Sequence, residues 1–265
     1  MSNKGSDTES RSILKDVDEL IDSALGLKDI GKSPHHRHET SCRELTERPK
    51  TGLEVSALIS KIYEKVGENW DKAKNHSKSE ENWRFIPQPG INADNDSREV
   101  RLERAIVNIP KEIWTDAPNW VNQVPIASGL VDPNADRGRR IDLVHKCGDR
   151  AFEFIELKVD SDTPLYAAME VLKYGVVYIF CRQDERASQH IDRTKELLKA
   201  ERIHLRVLAP EKYYEKYNLS WLEKSISGGL AEFRRQRKFT FEMDFKFETL
   251  SLVISCCSPR WLMAV

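Results

Sequence analysis

Apolar residues recur every three or four positions in some stretches and alternate in others, and these two periods divide the chain into elements. Ile13, Val17, Leu20, Ile21 and Leu25 fall at helical spacing and predict a first helix; Leu53, Val55, Leu58, Ile59, Ile62, Tyr63 and Val66 predict a second. Between them, residues 28–50 are polar and broken by Gly31, Pro34 and Pro49, which reads as a loop or linker. Within it, His35, His36 and His38 are close together but lack the spacing of a defined metal site. After a further polar stretch, Ser97 can cap a helix carried by Val100, Leu102, Ile106 and Val107 that stops near Pro110.

The pattern then changes to short strands. Residues 120–128 predict a strand that Pro125 confines to an edge or bulge, and residues 129–139 are a loop rich in Gly, Pro, Asp and Asn. Residues 140–145 and 152–159 predict a hairpin turning at Gly148. Pro164 suits the first turn of a long helix carried by Leu165, Ala168, Met169, Leu172, Val176, Ile179 and Phe180. A helical segment over 191–200, a strand over 203–208, a helix over 221–233 and an alternating strand over 239–250 complete the expectation. The order points to an α/β fold, a mixed central β-sheet flanked by helices with added N-terminal helices. The division that follows is a helical and linker region over 1–82, a main domain over 83–254 and a tail over 255–265.

Composition narrows the function classes. With 39% hydrophobic and 32% charged residues, the chain can build a core under a well-solvated surface. No apolar run approaches ~20 residues and the N-terminus has no apolar leader, so no membrane is expected and a cytoplasmic location is. Five cysteines without paired CxxC units read as reduced thiols. A net charge of -1 gives no global attraction to nucleic acid, so any such site must be local. Phosphate loops of the GxxxxGK[ST] kind, GxSxG elbows and HExxH helices are all absent from the sequence.

The chemistry concentrates in the hairpin. In residues 151–159, Glu156 and Lys158 share a face with Phe152 and Phe154, while the other face, apart from Glu153, is apolar with Ile155, Leu157 and Val159. Charges at the end of a strand buried on both sides must be paired, bound to metal or open to a cleft. Asp142, between Ile141 and Leu143, is close enough across a short hairpin to bring its carboxylate beside Glu156. Two carboxylates, a backbone carbonyl and waters are the oxygen-rich surroundings that Mg2+ prefers. Arg139 and Arg140 abut Asp142 and could contact phosphate; Gln123, and Tyr166, Glu170, Lys173 and Tyr174 on the less apolar face of the long helix, could complete the site.

On Ile141-Asp142, Ile155-Glu156-Leu157-Lys158 and the helix that begins at Pro164, residues 99–208 resemble the PD-(D/E)XK, or restriction-endonuclease-like, superfamily. The resemblance implies an αβββαβ core, Asp142, Glu156 and the Leu157 carbonyl as ligands of Mg2+ or Mn2+, and Lys158 as the catalytic lysine. It also implies a glutamate from the preceding helix, for which Glu103 is favoured over Glu99. Asp142 follows Ile141 where the named motif has proline. The expected activity is metal-dependent phosphodiester hydrolysis, with DNA as the expected substrate and Arg139, Arg140 and Lys173 as nucleic-acid contacts. The alternative is an inactive module of the same fold that binds nucleic acid or a protein, and the near-neutral charge leaves room for a homodimer or larger complex.

Overall fold

The computed structural model describes residues 12–27, 31–47, 54–73, 76–77, 80–90, 94–108 and 119–250. Pro110, expected near the end of a helix, and the tail over 255–265 lie outside them.

Four helices precede the first strand: α1 (Val17–Leu25), α2 (Glu39–Glu47), α3 (Val55–Asp71) and α4 (Arg98–Val107). Ser97 caps α4 as its sequence position suggested, its side-chain oxygen accepting from the Val100 N–H. The strands are β1 (Trp120–Pro125), β2 (Arg140–Gly148), β3 (Ala151–Leu157), β4 (Arg202–Ala209) and β5 (Glu242–Thr249); α5 (Pro164–Gln183), α6 (Glu211–Tyr214) and α7 (Ser220–Arg237) lie among them.

The strands form one mixed sheet in the order β1-β2-β3-β4-β5. The first three run antiparallel, joined by the loop over 126–139 and the tight turn at Asp149 and Arg150, whereas β4 and β5 each pair in parallel with the strand before them. Parallel pairing needs a long crossover, which α5 supplies between β3 and β4, and α6 with α7 between β4 and β5. Pro125 has no N–H for a further ladder and ends β1 on the sheet's edge.

One sheet face carries the main core. Val144, Phe152, Phe154, Ile203, Leu205 and Val207 pack there with residues of α1, α3, α5 and α7. On the other face Leu143, Ile155, Leu157 and Leu208 join Trp120 and Leu102 of α4 in a smaller cluster. β3 is buried on both sides and puts apolar residues on both faces, whereas β4 alternates Ile203, Leu205 and Val207 with Arg202, His204 and Arg206 before its apolar end at Leu208 and Ala209.

α5 starts with the Thr163 side chain accepting from the Tyr166 N–H and Pro164 in its first turn. Every residue of it except Tyr166, Glu170, Arg182 and Gln183 is buried, so the less apolar face read from the sequence does not exist as a wet surface at Lys173 and Tyr174. It has the length and apolarity to cross a membrane, but 89% of its apolar window is buried against this chain. Gly175 allows this closeness: a Cβ there would stand 2.8 Å from Leu205 of β4.

Two stretches depart from expectation. The polar segment read as a loop folds into a 3-10 turn, His35–Arg37, and α2. Its apolar side is narrow, only Cys42 and Leu45 with small Ser41 and Thr46 buried, too few to register as a helical period. The segment expected as helix over 191–200 holds only a 3-10 turn, Leu197–Lys199, in which Leu197, Leu198 and the following Ala200 are all buried and Tyr178 Oη of α5 donates to the Leu197 carbonyl. The first helix also starts later, at Val17 rather than Ile13.

Candidate functional site

Register decides which side chains meet. Leu143 of β2 pairs with Ile155 of β3, and the same ladder continued by one residue sets Asp142 opposite Glu156 on the main-core face. There the Asp142 side chain substitutes for ladder bonding, its Oδ2 accepting from the Leu157 N–H at 2.9 Å. Toward β1, Gln123 sits between two paired residues with a left-handed φ of 51°, and its Nε2 donates to Glu103 Oε2 at 2.8 Å. Glu103, on α4, is 2% exposed.

Lys158 follows the last residue of β3 and is anchored by its N–H donating to the Leu208 carbonyl at 3.0 Å. Its Nζ lies 2.8 Å from Glu156 Oε1, 3.5 Å from Glu170 Oε2 and 3.7 Å from Asp162 Oδ2. Glu156 and Lys158 are both buried. Five carboxylates and one ammonium thus share a space closed by α4, the sheet and α5.

Their electrostatics follow from burial and crowding. Burial, then the Asp142 charge, pushes the Glu103 carboxyl up to about 8 despite the Gln123 donor. Burial, reinforced by Glu170 and Glu99, pushes Asp142 up to about 6 against the pull of Lys158 and the Leu157 N–H. Glu156 is held well above the usual carboxylate range by burial and by the charges of Asp142 and Glu170. Burial alone would lower the Lys158 ammonium, but the charges of Glu156, Glu170 and Asp142 carry it above its ordinary value.

Of the residues singled out in the sequence, Asp142, Glu156, Lys158, Glu103, Gln123 and Glu170 come together, with the Tyr174 hydroxyl donating to Glu170 Oε1 at 3.3 Å. Glu99 turns to the loop after β3, accepting from Ser161 Oγ at 2.6 Å. Arg139 and Arg140 face their own loop, Arg139 Nε 3.9 Å from Asp136 and Arg140 Nε donating to the Arg137 carbonyl. Lys173 is 2% exposed and donates to Asp18 Oδ1 at 2.6 Å, on the α1 side of α5.

Other neighbours had no sequence signal. Asp162 joins the lysine through a left-handed turn at φ 57°, Arg37 arrives from the segment read as a linker to bond it, and the buried Tyr213 hydroxyl lies within the field of Lys158 and Asp162 without a hydrogen-bond partner.

The donor set suits a hard divalent cation. Mg2+ takes one or two carboxylates and keeps several waters, and a divalent charge would favour the ionised form of carboxyls that burial and mutual repulsion push upward. Among the described residues no group of three or more His, Cys, Asp or Glu side chains stands ready as a ligand cage, and Glu156 is engaged by Lys158. No family model matches the chain, and no curated protein or solved structure matches it significantly.

Proposed function

We propose that this chain is a metal-dependent phosphodiester hydrolase acting on nucleic acid, DNA first among candidates, with a restriction-endonuclease-like core. The supporting observation is the convergence of Asp142, Glu156 and Lys158 with buried Glu103 on one end of the sheet. Asp142, Glu156 and the Leu157 carbonyl would hold Mg2+ or Mn2+. When bound, that ion polarises the phosphodiester and lowers the pKa of a water. Lys158, paired with Glu156 at 2.8 Å, would place its ammonium against developing charge at phosphorus if Glu156 were engaged by that ion instead. Glu103, held by Gln123, keeps a carboxyl near Asp142 as a proton acceptor or outer ligand.

A second reading, a binding module of the same architecture, is favoured by the direct Lys158–Glu156 pair. Incubation of the purified protein with plasmid, linear duplex, single-stranded DNA and RNA separates the two. Cleavage with Mg2+ or Mn2+, lost in EDTA and in Lys158→Ala, supports the hydrolase. Equal cleavage by that variant, or none under any condition, overturns it.

A further inference from the structure

Two arginines far apart in sequence meet the loop that leaves β3. Asp160 receives Arg98 Nη1 of α4 at 2.8 Å, and Asp162 receives Nε of Arg37 from the 3-10 turn. Asp162 also faces Lys158 at 3.7 Å, so a single carboxylate separates Arg37 from the lysine of the site. Both guanidiniums remain open to solvent, 54% and 71% exposed, and among the described residues neither Nη of Arg37 has a hydrogen-bond partner.

Arg37 is nevertheless held in place. His36 beside it is fully buried, its Nδ1 2.7 Å from Asp22 Oδ1, and Tyr166 of α5 lies 5.0 Å beneath the guanidinium. The result is a charged group on a rigid mount with its outer donors free. The interior of the site is strongly acidic, and a polyanion can approach it only past cations placed outside.

We propose that Arg37 and Arg98 form the phosphate-contacting lip of the site, gripping the nucleic-acid backbone on either side of the residues that meet the scissile bond. This rests on the nucleic-acid substrate proposed above. The two aspartates are placeholders. The Arg98–Asp160 pair is exposed at both ends and contributes little to stability, while Asp162, largely buried, keeps Lys158 as a second partner when Arg37 turns away; an arriving phosphate can then take the bidentate contact that a guanidinium fork favours. Lys173, 2% exposed, is not placed for such a contact, and these two arginines come from parts of the chain other than Arg139 and Arg140.

The test is fluorescence anisotropy of a labelled oligonucleotide, as single-stranded DNA, duplex DNA and RNA, with Ca2+ replacing Mg2+ and over a range of KCl. Arg37→Ala and Arg98→Ala should each weaken binding across sequences and lower the salt slope by about 1, and the double variant by about 2. Arg37→Lys and Arg98→Lys should keep the wild-type slope, and all variants should melt with the wild type. Wild-type affinity and slope in the double variant overturn the lip, whatever the cleavage assay shows. Arginine-dependent binding without cleavage upholds the lip while the hydrolase reading fails, and neither binding nor cleavage by the wild-type protein overturns both.

Discussion

Lys158 Nζ stands 2.8 Å from Glu156 Oε1, the one just past the end of β3 and the other within it, and both are less than a tenth exposed. Removing one partner of such a pair leaves a buried charge without compensation. Lys158→Ala should therefore destabilise the protein by ~3 kcal/mol near neutral pH, with much of the loss recovered in Lys158→Ala/Glu156→Gln. Urea unfolding of the single and double variants measures this, and equal stabilities for the two would contradict it.

Carboxyls crowded around Asp142 should make the protein respond to divalent ions. Millimolar Mg2+ is expected to raise Tm by a few degrees through mass action at pH 8, where these crowded carboxyls carry more negative charge than at lower pH and repel one another without a counterion. Asp142→Asn should abolish the rise. An identical Mg2+ response in that variant would move the ion elsewhere.

Lys173 is expected to behave as an interior strut. Its 2.6 Å bond to Asp18 ties α5 to α1, so Lys173→Met should cost ~2 kcal/mol or more, and Asp18→Asn in the same chain should return part of that. Thermal melts of the two variants and the pair decide this.

The sheet face opposite the site carries a row of cross-strand partners, His145, Glu153, His204 and Asp244. His145 Nδ1 lies 2.7 Å from Glu153 Oε2, and His204 Nδ1 2.7 Å from Asp244 Oδ2. Burial would raise both acids, but the hydrogen bonds and charges of these histidines and Arg206 hold them below their usual values. Their stabilisation is therefore full above the unfolded pKa near 4 and disappears as pH falls through the lower folded values. Acid unfolding followed by circular dichroism should shift to higher pH in Glu153→Gln/Asp244→Asn.

Local pattern carried a large part of this architecture. Cap residues Ser97 and Thr163, Pro164 in a first turn, Pro125 on an edge strand and the alternation through 151–157 each act over a few positions, so their meaning could be read directly. Misreadings came where burial was decided at long range. α2 hides only a few small or apolar side chains, and the apolar run near Leu197 is buried without being helical.

The same division holds at the site. Sequence by itself determined that Glu156 and Lys158 share a strand face and that Asp142 lies within hairpin reach, because a strand's period and a short turn are local geometry. Tertiary structure alone decided that Glu103 and Glu170 close over them, that Lys173 turns inward, and that Arg37 reaches Asp162 across 125 positions. Such meetings depend on helix packing and on where burial leaves a charge a partner, quantities that no short stretch of chain contains.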